Sequence, residues 1–416
     1  MNSITYFKKL TQKLLYIPLA FQNRLFLTEI KRGIPQLVEN VRKRDKIRVL
    51  FVLSQLPKWK TEALYQAMLN HSRFEPILGV ALGIVDYPTM EAEKLSVLLN
   101  YIKGKGYDYT ELRLTADIQE RVKPDVVFYE EADGGINPSI YFSSLHDILF
   151  CYSCYGILTL TEKSLYNSPY HNICWKWFVE SPFIIDYAKT VMSNKAKNLC
   201  YTGTPIVDEL LIERETYADP WKVQRQHKKR IIWAPHHTIG IGKEEISYGC
   251  FLEVAEGMKM LAEQYSDDVQ WAFKPHPSLK QKLYYLWGEE RTNAYWAFWS
   301  DSENCQLEEG KYISLFKYSD AIIHDSSSFT AEYLYMRKPC MYLVNGKEHS
   351  LNDFGNACYD LYYKGNNAED IEQFVQNVIH DIDSRKEERD KFFNDYLLPP
   401  NGKTACQNII DSILGQ

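Results

Sequence analysis

Histidines and serines at three places in the sequence have the chemistry needed to hold and cleave a phosphate ester. Histidine titrates near neutral pH and can donate a hydrogen bond or a proton to a phosphate oxygen. Serine hydroxyls also donate hydrogen bonds, and the unpartnered N–H groups at a helix start favour a bound anion. The candidate phosphate-binding residues are His236, His237, Lys274, His276, Ser326, Ser327 and Ser328.

His276 is the strongest candidate for catalysis among these residues. It lies between Pro275 and Pro277, which restrict the backbone on both sides and should hold the imidazole in one direction. Beside a phosphate, this imidazole could neutralise or protonate a leaving group. A single histidine is more often structural, so its proline neighbours and its place in the chain favour the functional interpretation.

Each group of candidates follows a short apolar run that is typical of a buried β-strand. The runs are Arg230–Ala234, Val269–Phe273 and Ala321–Ile323. In open α/β sheets, ligands bind beyond the carboxyl ends of the strands. We therefore expect the three groups to meet at one edge of a sheet.

The serine segment predicts a strand, a turn and a helix that together bind an anion. Asp325 or Ser326 can cap the helix, which ends before a second strand at Cys340–Val344. Glu332 lies one helical turn beyond Ser328, where its carboxylate could accept hydrogen bonds from ribose hydroxyls. The same pattern also fits an ordinary capped helix between two strands, with no ligand.

Apolar runs and helical patterns alternate along the whole chain, which predicts an α/β fold with doubly wound sheets. With 416 residues, two domains are expected. In the first half the predicted strands are Ile47–Leu53, Glu75–Leu82, Asp125–Tyr129, Leu145–Tyr152 and Leu199–Thr202, and Lys103–Thr110 is a predicted loop. The predicted boundaries are 1–46 for a basic N-terminal segment, 47–204 and 205–395 for two Rossmann-like domains facing a cleft, and 396–416 for a closing C-terminal helix.

The overall composition excludes several classes of protein. A net charge of −6 argues against general nucleic-acid binding, and 45% hydrophobic residues argue against disorder. The nine cysteines show no disulfide-framework spacing, which indicates a reducing compartment. No metal-ligating residues are predicted, because no histidine and cysteine cluster has ligand spacing, although metal dependence stays open. No cofactor is predicted.

The N-terminal segment carries a charge opposite to that of the rest of the chain. Residues 1–46 contain ten Lys or Arg and three acidic residues, which gives +7 and leaves −13 elsewhere. Phe7, Leu10, Leu14 and Leu15 repeat at helical spacing among lysines. This pattern predicts a basic amphipathic helix on an anionic membrane surface, although a helix packed on the first domain is the alternative. The expected location is cytoplasmic, peripheral on the inner face of the plasma membrane.

The second half of the chain resembles a known enzyme family. WAPHH, FKPHP and HDSSSFTAEYLYMRKPCMYL occur in the order and spacing of the CDP-glycerol glycerophosphotransferase family, which includes teichoic-acid primases and polymerases. TGTPIVDELL resembles the hinge of that family, and NGKTACQNIIDSI is similar to its closing helix. The resemblance covers roughly residues 200–414 and implies the two-domain B-type glycosyltransferase architecture.

The resemblance implies transfer of a polyol phosphate from a CDP-activated donor to a hydroxyl of a lipid-linked or glycan acceptor. His276 matches the histidine of the family's KPHP-type motif. The proposed base of the better-known polymerases is a WHG-type histidine in the first domain, and this chain reads ILFCYSCYGILT there. The remaining candidates for the base are Glu131, Asp133, Tyr152 and Tyr155, and the carboxylates are favoured because tyrosine is a poor base near its ordinary pKa of ~10.

Two other functions fit parts of the pattern. A sugar transferase or a non-hydrolysing nucleotide-sugar epimerase shares the two-domain fold and the TGTP hinge. A non-catalytic scaffold of a polysaccharide assembly complex would keep the fold without the first-domain base. The nucleotide that binds distinguishes the three functions. A glycerophosphotransferase should bind CDP or CMP, a sugar transferase or epimerase should bind UDP, and a scaffold should bind no nucleotide.

Overall fold

A computed structural model describes residues 28–82, 91–132, 137–240, 247–347 and 350–416. The chain forms two parallel sheets, each at the centre of an α/β domain, which confirms the predicted fold class. The first sheet has seven strands in the order β3-β2-β1-β4-β5-β6-β7, and the second has six in the order β10-β9-β8-β11-β12-β13. The domain boundaries given above stay predictions.

The central strands are buried on both faces, as expected for a parallel sheet covered by helices, and the edge strands β3, β7 and β13 are partly exposed. In the first sheet they are β1 Ile47–Leu53, β2 Phe74–Ala81, β3 Tyr109–Leu112, β4 Val126–Tyr129, β5 Leu149–Ser153, β6 Lys176–Val179 and β7 Leu199–Tyr201. In the second sheet they are β8 Lys229–Ala234, β9 Val269–Phe273, β10 Cys305–Leu307, β11 Ala321–His324, β12 Cys340–Leu343 and β13 Tyr363–Gly365.

Helices cover both faces of each sheet. The helices that precede, connect or directly follow the strands of the first sheet are α1 (28–42), α2 Glu62–Leu69, α3 Glu91–Gly104, α4 Pro169–Ile173, α5 Pro182–Val191 and α6 Pro205–Leu211. Around the second sheet they are α7 Phe251–Gln264, α8 Leu279–Trp287, α9 Glu289–Asp301, α10 Ile313–Tyr318, α11 Ser327–Glu332, α12 Asp353–Tyr359, α13 Ala368–Ile379 and α14 Lys386–Phe392. The last helix, α15 Ala405–Leu414, packs on the first domain.

The sequence predictions were most accurate in the centre of each sheet. β1 and β9 occupy the predicted residues, because each is an apolar run interrupted by a single polar residue, Arg48 or Gln270. The edge strand β3 was missed: Tyr109 and Thr110 were predicted to lie in a loop but begin this strand. Edge strands of three or four residues contain polar positions and show no clear period, so the sequence signal for them is weak.

The three site-bearing strands lie side by side and end at the same level. In the second sheet, β8 pairs with both β9 and β11, with Trp233 opposite Phe273 and Ala234 opposite His324. All three run parallel, so the residues that follow them leave the sheet at one edge. The predicted convergence of the histidines and serines is therefore confirmed.

The C-terminal helix α15 returns to the first domain. The Asp208 carboxylate on α6 accepts hydrogen bonds from the backbone N–H groups of Ala405 and Cys406, both at 2.7 Å. Ile409 and Ile413 are fully buried in the core that covers one face of the first sheet. The chain thus passes into the second domain and then back.

Helix α1 also belongs to this first-domain core. Ile34, Leu37, Val38 and Val41 pack against it, and Arg44 forms an ion pair with Asp125 at 2.6 Å. The apolar and basic residues predicted to contact a membrane, from Phe7 to Leu15, lie outside the described residues. Among the helices of the described residues, none has the length and hydropathy required to cross a bilayer.

Deleting residues 1–27 tests the membrane prediction without removing α1. The deletion removes Lys8, Lys9, Lys13 and Arg24, and each basic side chain near an anionic surface stabilises binding by ~1 kcal/mol. We expect the full chain to co-sediment with vesicles rich in phosphatidylglycerol and the shortened chain to stay in the supernatant with an unchanged melting temperature. Vesicles of phosphatidylcholine alone are the control, and equal sedimentation of both proteins with anionic vesicles would contradict the prediction.

Candidate active site

A cavity of about 270 Å³ lies between the two sheets, at the carboxyl ends of β8, β9 and β11. The first domain contributes Trp59 and Lys60 from the loop after β1, and α6 contributes Glu209. The second domain contributes the predicted residues His236, Lys274, His276, Ser326 and Ser328, together with Lys311 and Tyr312. Five of the predicted site residues are therefore brought together in one cavity.

The three predicted histidines form one cluster. Ring centroids are separated by 4.3 Å between His236 and His237, 4.8 Å between His236 and His276, and 4.1 Å between His237 and His276. The His236 ring also stacks on Tyr248 with centroids 5.0 Å apart. His236 and His276 line the cavity, and His237 lies beside them.

His276 is fixed in position, and its ring is neutral. Its backbone N–H donates to the Pro235 carbonyl at 3.0 Å, and its Nδ1 accepts a hydrogen bond from the Ser278 backbone N–H at 3.1 Å. Burial, assisted by His237 and nearby lysines, lowers the pKa of His276 to about 3. The ring therefore carries its single proton on Nε2 and can act there as a hydrogen-bond donor.

The hydrogen bonds of the cluster favour an anion over a metal cation. The three rings have nitrogens within 4.8 Å of one another, which is a spacing that metal ligands can adopt. However, the Lys282 ammonium donates to His237 Nδ1 at 2.8 Å, as the Ser278 N–H does to His276. Two of the rings thus have their acceptor nitrogen occupied and present an N–H with the other, whereas a metal needs a lone pair.

Asp325 organises the loops around the cluster. It is fully buried, and its two oxygens accept the backbone N–H groups of His236 at 2.5 Å and of Cys250 at 2.7 Å. Burial raises the pKa of Asp325 to about 6. The expectation that Asp325 caps the following helix was wrong, because the carboxylate turns towards the loop after β8 instead.

The serines are divided between two sides of helix α11. Ser326 occupies the N-cap position without forming a side-chain cap, and its Oγ lies 3.5 Å from Ser328 Oγ. Ser326 and Ser328 line the cavity between the sheets, and Ser327 lines another cavity with Leu160 and Tyr342. Two of the three predicted hydroxyls are thus available to a ligand beside His276.

Lys274 and Glu332 lie close to the cavity, but their charged groups are engaged or buried. The Lys274 ammonium donates to the carbonyls of Gly310 at 2.7 Å and Glu308 at 3.5 Å, and burial lowers its pKa to about 8. Glu332 is only 2% exposed and is not one of the residues that line the cavity. Its carboxylate lies near Lys60 and Tyr312, and burial raises its pKa.

The predicted candidates for the base lie away from the cavity or outside the described residues. Glu131 forms an ion pair with Lys58, and Asp133 lies outside the described residues. Tyr152 is buried against aromatic rings, and Tyr155 is 43% exposed beside Lys58. Of the described candidates, none lines the cavity between the sheets.

Sequence reasoning missed the cations that the first domain and the loop after β10 add to the site. Lys60 lines the cavity, and Lys94 on α3 contributes to the low pKa of His276. Lys311 crosses to the first domain, where its ammonium lies 3.0 Å from the Glu62 carboxylate and 2.5 Å from the Tyr101 hydroxyl. Isolated lysines carry no motif, and only the placement of the two domains brings these residues together.

Solved structures of two kinds of enzyme are similar to the chain. A variant of the wall teichoic acid polymerase TagF shares 14% identity at a TM-score of 0.56, over 99% of this chain and 98% of that one. A UDP complex of MnaA from S. aureus shares 15% identity at 0.56, over 88% and 96%. A UDP-GlcNAc 2-epimerase from Neisseria meningitidis bound to UDP-GlcNAc shares 16% identity at 0.56, over 89% and 100%. At these identities the likeness shows the fold, which is the predicted two-domain architecture.

Sequence comparison identifies the family. No curated protein sequence gives a significant match to the chain. The model of the family described as CDP-Glycerol:Poly(glycerophosphate) glycerophosphotransferase matches residues 162–415, which is more than half of the chain and contains all three site-bearing strands. The resemblance drawn from the motifs is thereby confirmed, and the chain belongs to the CDP-glycerol:poly(glycerophosphate) glycerophosphotransferase family.

Proposed function

We propose that the protein transfers glycerol phosphate, or a related polyol phosphate, from a CDP-activated donor to a hydroxyl of a lipid-linked or glycan acceptor. The product would be a cell-surface polymer of the teichoic-acid or capsular type. One observation carries this proposal: the neutral His276 ring, the His236 ring, two serine hydroxyls and three lysines line a single cavity in a member of this family. Such a donor set suits a diphosphate bridge.

The transfer step forms one bond and breaks one. The acceptor oxygen attacks the β-phosphorus of the donor, and the bond from this phosphorus to the bridging oxygen breaks. CMP leaves with the electron pair of that bond, and the acceptor proton passes to a base. Hydrogen-bond donors that reach the phosphoryl oxygens stabilise this transition state because negative charge shifts onto the leaving group.

The predicted residues receive different roles in this proposal. His276 donates a hydrogen bond from Nε2 to the phosphate that leaves with CMP, and His236 binds the same phosphate. Ser326 and Ser328 bind the β-phosphate. The Lys274 ammonium fixes the loop at Gly310 by its hydrogen bond and adds positive charge to the cavity. Ser327 and Glu332 stabilise helix α11 and its surroundings. Binding of the N-terminal segment to an anionic membrane would bring the site to a lipid-linked acceptor.

A panel of nucleotides tests the donor directly. We expect CDP and CMP to raise the melting temperature of the protein, measured by differential scanning fluorimetry, because a ligand that binds only the folded state stabilises it. UDP and UDP-GlcNAc should give little change at equal concentration. A response to UDP alone would instead support a sugar-nucleotide enzyme such as an epimerase, and no response to any nucleotide would support a scaffold.

His276→Ala tests the catalytic role. We expect turnover of CDP-glycerol to fall by ~10²–10⁴, with a smaller change in the affinity for CDP. His276→Gln should recover part of the loss, since an amide N–H replaces a neutral imidazole donor but not a charged one. His227→Ala, at an exposed position, is the control. Near-normal turnover in a folded His276→Ala protein would move the assignment to His236 or His237.

The three serines provide a matched test of the phosphate site. Replacing Ser326 and Ser328 together with alanine should weaken CDP binding by ~0.5–1.5 kcal/mol for each lost hydrogen bond. Ser327→Ala is the control, because Ser327 lines the other cavity. Isothermal titration calorimetry measures both proteins, and equal affinity for CDP in the double variant and in Ser327→Ala would remove this turn from the donor site.

A further inference from the structure

The transfer step needs a group that accepts the proton of the acceptor hydroxyl. The described candidate Glu131 is engaged by Lys58 and does not line the cavity. Glu130, its neighbour, is also buried, and one of its oxygens accepts two hydrogen bonds from Ser54. Neither carboxylate has direct access to the space in which the donor would lie.

Glu209 on helix α6 does have this access. It lines the same cavity as His276, Ser326 and Ser328, from the opposite domain side. Its backbone carbonyl accepts a hydrogen bond from Tyr217, but no hydrogen bond or ion pair to its carboxylate is formed among the described residues. A partly buried carboxylate in the same cavity as the proposed phosphate-binding residues is well placed to accept a proton.

The charges around Glu209 suit a base at neutral pH. Burial raises its pKa, and the nearby Glu62 acts in the same direction, while Lys311, Lys60 and Lys105 act against it. The opposing influences leave a carboxylate that is more basic than an exposed one. The same ammonium groups would also attract an acceptor that carries phosphate.

We propose that Glu209 is the general base that accepts the proton of the acceptor hydroxyl, an assignment that rests on the proposed transfer function. The proton passes from the acceptor O–H to a Glu209 oxygen as the acceptor oxygen bonds to the β-phosphorus. The bridging oxygen leaves with CMP, stabilised by the His276 N–H on the far side. Base and leaving-group donor thus belong to different elements, α6 and the loop after β9.

If Glu209 is the base, its replacement should lower the rate of CMP release and leave the affinity for CDP nearly unchanged. CMP release from CDP-glycerol is measured with glycerol and with water as acceptors, on the full chain. Glu209→Gln should lower this rate by ~10²–10⁴ and leave the CDP affinity within about twofold, since the donor contacts remain. Glu209→Ala should regain activity with added formate, because a small carboxylate can enter the space left by the side chain. Loss of structure alone gives no such rescue.

The pH profile gives a second measurement. For the wild type, kcat/KM should fall as pH falls through the raised pKa of Glu209, because only the ionised carboxylate accepts a proton. The Glu209→Gln protein should lose this acidic limb. Glu215→Gln, an exposed position shortly after α6, is the matched control and should keep both rate and profile.

The outcomes separate this assignment from the proposed function. An active wild type whose Glu209→Gln variant keeps its rate would overturn the base assignment and leave the transfer function standing. The base assignment is also overturned, and the transfer function still stands, if Glu130→Gln or Glu131→Gln lowers the rate with unchanged CDP affinity and Glu209→Gln does not. A folded wild type that releases no CMP with either acceptor would overturn the function and the assignment together.

Discussion

The buried carboxylate of Asp325 is the contact on which the arrangement of the cavity depends. It lies at the end of β11 and accepts backbone N–H groups from His236, after β8, and from Cys250, at the start of α7. Without it, two buried amides would lose their partners, and buried groups left unpaired are costly. Because His236 contacts His276 directly, a residue that does not itself line the cavity holds the histidine cluster in place.

The electrostatics of the cavity favour a neutral imidazole at His276. Burial, assisted by His237 and nearby lysines, keeps the His276 ring neutral. A bound diphosphate would bring opposite charge close to the ring, and an anion at short range raises the pKa of an imidazole. Protonation would also require Nδ1 to give up the hydrogen bond from the Ser278 N–H, so we expect the ring to remain a neutral donor at Nε2 when a phosphate is bound. The proposed assistance to the leaving group is therefore a hydrogen bond from Nε2, which needs no change in the charge of the ring.

The sequence could predict those features that depend on local pattern. Buried parallel strands are largely apolar runs, so the residues of β1 and β9 were predicted correctly. The parallel direction of the strands implied that His236, His276 and the serines would meet at one edge of the sheet. The rest depends on three-dimensional placement. Successive helical residues are rotated by about 100°, which separates Ser327 from its neighbours on α11. The partner of Asp325, and the approach of Lys60 and Lys311 to the cavity, follow from loop paths and domain positions that no short motif encodes.

The return of α15 to the first domain has a consequence for biosynthesis. The first domain is translated first, yet Ile409 and Ile413 in its core come from the distant end of the chain. Its apolar surface over α2 and α6 therefore stays uncovered while the ribosome makes the whole second domain. Domains that fold as independent units can do so one after another during synthesis, but here the earlier unit is completed last. A nascent chain of this protein thus exposes part of the apolar surface of its first domain until the last residues have been made.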